Sequence, residues 1–184
     1  WCLMEPREGV YDFDWLEEIV DRLGQNGIYT VLCTPTACQP VWMARRYPET
    51  LYVDNLGVQR SYGGRHYHCY NSPIFRDLTE KICLEMSRRF GRNPYVLGFQ
   101  VDNEMGQEHS DRCQCPVCRR KFKEAMKEKF HGDIGALNEA FGSLFWGQRF
   151  DGFEQVEPPA AGSREDAKSN LGWRGTNMPA LRLE

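Results

Sequence analysis

No apolar run in this 184-residue sequence approaches the roughly 20 residues that a membrane-spanning helix needs. No basic segment precedes an apolar one in Trp1-Cys2-Leu3-Met4-Glu5-Pro6, so no signal peptide is legible there. Position 1 is not a methionine, and the chain reads as though it starts in the middle of something. An excess of positive charge is also missing: 23 Lys and Arg stand against 26 Asp and Glu, a formal net charge of -3. That balance argues against general binding to nucleic acid or to an anionic membrane. There is no internal repeat. The length falls short of the roughly 250 residues of a closed eight-stranded α/β barrel and matches one ordinary domain, with or without a tail.

What is present begins with eight cysteines in a chain with 41% hydrophobic and 27% charged residues, a balance that describes a soluble globular protein. Cys113, Cys115 and Cys118 sit within six residues, too close for ordinary disulfide pairing among themselves. The crowding points to a metal held in a reducing compartment, and the expected location is cytoplasmic. Three thiolates at x1 and x2 spacing can converge on one ion, and a closed tetrahedral zinc site needs a fourth ligand. Cys69, His68, His66 and His109 are all candidates for it. Full thiolate coordination leaves no open position, so the expected role is structural. Cys33 and Cys83 lie within apolar patterns and read as small buried hydrophobes.

Two short apolar runs, Ile28–Thr34 and Tyr95–Asp102, read as strands buried on both faces, the signature of a parallel sheet. A helix capped by Asp14 is predicted between Trp15 and Leu23, its apolar face formed by Trp15, Leu16, Ile19, Val20 and Leu23, with Gly24 to Gly27 as its stop. The polar, aromatic stretch 35–68 is long for a loop and holds one short helix at Val41 to Arg46; loops of that length are usually functional. Ser72-Pro73 opens a helix through Leu78, Ile82, Met86 and Phe90. Further helices are predicted from Pro116 to about Phe130 and from Asp133 through Phe141. Strand and helix alternate, which predicts an α/β fold with parallel strands. From Glu157 to Gly172 the composition turns to Pro, Gly, Ser and mixed charge without periodicity, a loop or linker.

The second strand ends in Gln100-Val101-Asp102-Asn103-Glu104. Catalytic groups of α/β barrels stand at the C-terminal ends of strands. A glutamate there can act as a general acid when partial burial raises its pKa. The neighbouring asparagine offers a donor and an acceptor for a sugar hydroxyl. The blander account is an Asx-type turn followed by a solvated carboxylate. The aromatic loop residues Trp42, Tyr47, Tyr52, Tyr62, Tyr67 and Tyr70 suit the C–H faces of sugar rings, although roofing the end of the fold explains them as well. Arg119, Arg120, Lys121, Lys123, Lys127 and Lys129 form a basic run, but Glu124 and Glu128 interleave with it, as on a solvated helix face.

Taken together, these residues resemble glycoside hydrolase family 42, the β-galactosidases. The likeness runs through Leu3-Met4-Glu5-Pro6-Arg7-Glu8-Gly9-Val10-Tyr11-Asp12-Phe13-Asp14-Trp15-Leu16, Thr34-Pro35-Thr36-Ala37, Pro40-Val41-Trp42 and Tyr47-Pro48-Glu49. It continues in Asn71-Ser72-Pro73, Gly98-Phe99-Gln100-Val101-Asp102-Asn103-Glu104, Leu137-Asn138-Glu139-Ala140-Phe141-Gly142 and Phe145-Trp146. The resemblance implies an α/β fold of the (β/α)8 TIM-barrel type, present as an N-terminal portion of about four β/α units. Residues 1–159 would form the barrel portion, and 160–184 a loop or linker leading onward. It implies a retaining hydrolase of terminal β-D-galactosyl groups, with Glu104 as acid/base and Asn103 and Arg65 binding the sugar. It also implies a structural Zn2+ on Cys69, Cys113, Cys115 and Cys118. Where members tend to read Arg-x-His-Tyr, this chain reads Arg65-His66-Tyr67-His68.

Retention requires a second carboxylate about 5 Å from the first. In the family this is a glutamate around the seventh strand, for which this chain has no matching position, so the chain alone is expected to be inactive. The expected partner is a β-galactoside, with no nucleic acid or membrane, and the full-length parent is expected to be a homo-oligomer. The rival readings are another β-glycosidase activity on the same fold, such as an arabinopyranosidase, and a non-catalytic zinc-stabilised binding module. A zinc-ribbon nucleic-acid binder would need a second close cysteine pair and a basic balance, neither of which the sequence has.

Overall fold

The computed structural model describes residues 1–54, 56–105, 113–144, 147 and 149–158. His109, Phe145-Trp146 and the segment 160–184 lie outside the described residues. The chain divides into two compact units, Trp1–Val53 with Gln59–Cys113, and Asp54–Val58 with Gln114–Glu184.

The first unit is built around a two-stranded parallel sheet. Its strands are β1 (Thr30–Cys33) and β2 (Val96–Gln100), paired Thr30 to Val96 and Cys33 to Gln100 with one irregularity after Thr30. Helix α1 (Asp14–Gln25) precedes β1, α2 (Val41–Arg46) follows it, and α3 (Pro73–Phe90) leads into β2. Helix α2 falls where the sequence predicts it. Ser72 caps α3 by accepting the Phe75 N–H, with Pro73 in the first turn where no amide partner is needed. Leu78, Ile82, Met86 and Phe90 are all buried, as their fourfold spacing predicts. Ile82, Met86 and Phe90 pack with Phe13, Val20 and Leu32 into the main core. The Phe13 and Phe90 rings meet edge to face at 5.8 Å.

Three expectations change. Asp14 is the first residue of α1 rather than its cap. Phe13 stands at the cap without a side-chain bond, and Asp12 Oδ1 accepts the Asp14 N–H at 3.2 Å. The Asp14 carboxylate is instead engaged with Glu17 on Arg89 of α3, each at 2.5 Å. Next, Ile19 is not on the core face but 48% exposed. The third change concerns the strands, which are not buried on both faces. Leu32 and Val96 join the core, whereas Val31, Leu97 and Val101 are 59%, 69% and 74% exposed. Successive strand residues point to opposite faces, and within this unit only one face is covered, by α1 and α3.

Helix α1 stops where the glycines predict. Gly27 takes φ +78°, its N–H reaches Gly24 O, and the Ile28 N–H reaches back to Leu23 O at 3.0 Å. This 6→1 and 5→2 pairing satisfies the last carbonyls and needs a left-handed residue at that point. The stretch 35–68 is more ordered than a long loop. It carries α2 and two short 3-10 turns, Pro35–Ala37 and Pro48–Thr50. Bonds from Tyr52 N–H to Tyr67 O (2.8 Å) and from Cys69 N–H to Thr50 O (2.7 Å) tie it together. Tyr52 and Tyr67 are buried, so packing accounts for these two aromatics, while Tyr62 remains exposed.

In the second unit, α4 (Pro116–Lys129) and α5 (Ile134–Phe141) pack through Met126, Leu137, Phe141 and Val156. Asp133 caps α5 by accepting two backbone N–H groups. The basic run on α4 is mostly exposed and partly paired, with Arg120 near Glu124 and Lys123 on Glu157 at 2.6 Å. A solvated helix face accounts for it.

The packing makes a paired prediction. Ile82→Ala removes a fully buried side chain and should lower unfolding stability by about 2–5 kcal/mol, whereas Ile19→Ala on the exposed face should change it by less than about 0.5 kcal/mol. Urea unfolding of both variants checks the assignment of faces, and equal losses would contradict it.

Candidate functional site

Parallel pairing brings the C-terminal ends of β1 and β2 side by side. Thr34 directly follows β1, and its N–H donates to Gln100 O at 2.9 Å. Its hydroxyl accepts the Asp102 N–H at 2.7 Å. The chain turns sharply here, with Asp102 at φ +57° and Glu104 at φ +49°, both left-handed. For non-glycine residues that conformation costs about 1–2 kcal/mol each, so neighbouring groups must hold it. Asp102 Oδ1 accepts the Asn103 N–H at 2.6 Å, an Asx-type closure. The Gln100 side-chain amide donates to Asp102 O at 3.1 Å and to Asn103 Oδ1 at 3.2 Å.

The turn aims Glu104 outward, where it meets Arg65. Arg65 Nη1 donates to Glu104 Oε2 at 2.9 Å, and Asn103 Nδ2 lies 3.5 Å from the same oxygen. The three residues that the sequence singled out for sugar chemistry therefore stand together in one cluster. Both sides of the sequence reading are present: an Asx-type turn does form, and it is the device that presents the carboxylate. The side chains of Glu104 and Arg65 are 54% and 42% exposed, so the partial burial expected for an acid is not supplied by the described residues. The geometry provides a carboxylate able to exchange a proton, a guanidinium beside it, and an amide with both donor and acceptor capacity.

Sequence reasoning missed His66, Thr34 and Gln100 as parts of this site. His66 is buried, and its Nε2 lies 2.7 Å from Asn103 O. Thr34 was legible only as the last residue of a strand, because its role depends on which strand end lies alongside. The signal that could have found it is the parallel register itself.

Of the candidate metal ligands, Cys69 and Cys113 lie in the first unit, and Cys115 and Cys118 in the second, at the cap and in the first turn of α4. Three are buried and Cys118 is partly so. The Val53 N–H donates to Cys113 Sγ at 3.4 Å and the Cys118 N–H to Cys115 Sγ at 3.5 Å. Four thiolates are a donor set that suits a closed tetrahedral zinc site. The two histidine candidates among the described residues make other contacts. His66 faces Asn103, while His68 stacks on Phe75 at 4.0 Å and 13°. Burial first, and His66 second, push the His68 pKa down to about 3.

The β-galactosidase model of glycoside hydrolase family 42 matches residues 1–176. β-Galactosidase BgaA of Thermus sp. is 42% identical over 171 residues, which is 93% of this chain and 26% of that protein. β-Galactosidase Pbg of Clostridium perfringens is 39% identical over 160 residues, 87% of this chain and 23% of that protein. Among solved structures, Gan42B, a GH42 β-galactosidase from G. stearothermophilus, superposes with a TM-score of 0.83 at 35% identity, over 96% of this chain and 25% of that one. The β-galactosidase of the Antarctic haloarchaeon Halorubrum lacusprofundi gives 0.82 at 33% identity, over 95% and 28%. The chain thus spans about a quarter of the length of these relatives. Its two parallel strands and their helices are a portion of their (β/α)8-barrel fold. By matched length, identity and superposition, the chain belongs to the glycoside hydrolase family 42 β-galactosidases.

Proposed function

We propose that this chain is the part of a retaining β-galactosidase that carries the general acid/base, with terminal β-D-galactosyl groups as substrate. The observation that supports the reading best is the cluster of Glu104, Arg65 and Asn103 at the strand ends, with Arg65 donating to Glu104 at 2.9 Å. Glu104 protonates the departing glycosidic oxygen, then deprotonates the water that attacks the glycosyl-enzyme. Asn103 holds the hydroxyl next to the anomeric carbon, and Arg65 binds the sugar while orienting the Glu104 carboxylate. Residues 1–159 form the barrel portion and 160–184 continue the chain beyond it. The four cysteines hold a structural zinc that takes no part in the reaction; it would supply local rigidity through its four bonds.

A full-length β-galactosidase containing this chain should lose about 10²–10⁴-fold in kcat/KM on Glu104→Ala when the leaving group is poor, and far less when it is good. With good leaving groups, where the missing base leaves hydrolysis of the glycosyl-enzyme slow, azide should restore turnover as an external nucleophile and yield the β-galactosyl azide. An equal loss for every leaving group would remove Glu104 from the acid/base role. The 184-residue chain by itself should not turn over a nitrophenyl β-galactoside, for want of the second carboxylate that retention requires. Turnover by the purified chain would overturn that division of the site. Elemental analysis should find about one zinc per chain, falling with Cys113→Ser. Well under one equivalent in the unsubstituted protein would sink the four-thiolate site.

A further inference from the structure

Among the described residues, four non-glycine residues have a positive φ, and three of them belong to one hydrogen-bonded cluster: His66 at +53°, Asp102 at +57° and Glu104 at +49°. Left-handed backbone at bulky residues persists only where the surroundings hold it. His66 is nearly without solvent contact, and its own N–H donates to Ala37 O at 2.8 Å, which fixes the ring from the backbone side. Nε2 then sits 2.7 Å from Asn103 O and 3.8 Å from Asp102 Oδ1. A carbonyl oxygen can only accept, so Nε2 carries the proton in this contact. The Asp102 carboxylate in turn accepts the Asn103 N–H at 2.6 Å. Asn103 is therefore gripped on both of its backbone polar groups, by His66 at the carbonyl and by Asp102 at the amide. The carbonyl of Asn103 belongs to the peptide unit that sets the direction of Glu104.

We propose that His66 is a positioning residue for the acid/base: its Nε2–H holds the Asn103 carbonyl, locks the left-handed turn and so aims the Glu104 carboxylate. The proposal rests on Glu104 being the acid/base and adds how that group is kept in place. His66 acts through the peptide between Asn103 and Glu104, whose carbonyl it holds. Arg65, its chain neighbour, reaches the carboxylate directly. Residues 65 and 66 thus steady Glu104 from its two ends, one through the side chain and the other through the backbone.

The test compares two amides at position 66 in a full-length β-galactosidase containing this chain. A glutamine amide reaches about where Nε2 lies, whereas an asparagine amide reaches only about where Nδ1 lies. H66Q should keep activity close to that of the parent. H66N should lose kcat/KM by up to about 10²-fold for aryl β-galactosides with poor leaving groups, the scale expected of a catalytic group displaced by about 1 Å, and much less for those with good ones. Equal behaviour of the two variants, or a loss in H66N that is the same for all leaving groups, overturns the proposal. Nitrogen-15 spectra of the unsubstituted protein read the His66 tautomer directly and need no variant, even if H66N does not fold. A protonated Nε2 at His66 is the expected result, and a neutral ring with its proton on Nδ1 overturns the proposal. If Glu104→Ala shows the leaving-group dependence and H66N does not, only the positioning role falls. If Glu104→Ala itself lacks that dependence, the acid/base reading falls and takes the role of His66 with it.

Discussion

The contact between Thr34 and Asp102 is the constraint on which the site depends. It exists because β1 and β2 run parallel and in register, so both strands finish at the same edge. The Thr34 hydroxyl accepts the Asp102 N–H at the first residue of the left-handed turn. Without that pairing, Asn103 and Glu104 would be two polar residues after a strand, with no defined direction. With it, Asp102, Asn103 and Glu104 each have a specified partner, and Arg65 arrives from a segment 39 residues away in sequence.

The pairing depends in turn on the core beneath it. Ile82, Met86 and Phe90 of α3 pack with Val20 of α1 and Leu32 of β1, so the helix between the two strands lies on their covered face. A parallel connection of this kind needs a crossover helix, and α3 supplies it with an unbroken apolar stripe. Val31 of β1 and Leu97 of β2 are exposed, as is Val101 just beyond β2. In a barrel, alternate residues of every strand face the interior. Within β1 Val31 is exposed beside buried Leu32, and within β2 Leu97 is exposed beside Val96, which packs on the core.

Much of the fold was legible in the residues. Fourfold spacing identified α3, Ser72-Pro73 its start, the glycines after Leu23 the end of α1, and two short apolar runs the strands. Helix α2 was readable even inside the long stretch 35–68. Other features were not, for identifiable reasons. Asp14 has the right residue type for a cap, but Arg89 competes for its carboxylate from another helix, and no local pattern contains that partner. The apolar runs looked buried on both faces because composition does not say how many layers cover a sheet. The order within 35–68 comes from backbone bonds such as Tyr52 to Tyr67, which residue identity does not display.

For the site, residue types and spacing already separated the chemistry-bearing groups: a glutamate and an asparagine at a strand end, and three cysteines crowded at x1 and x2 spacing. Those choices follow from what each side chain can donate, accept or ligate, which is local chemistry. Motif likeness added Arg65 and Cys69. Only the tertiary structure decided that Arg65 meets Glu104 and that His66 faces the Asn103 carbonyl. Hydrogen bonds and ligand shells act over about 3–5 Å in space, and chain separation carries no information about which distant residues will come that close.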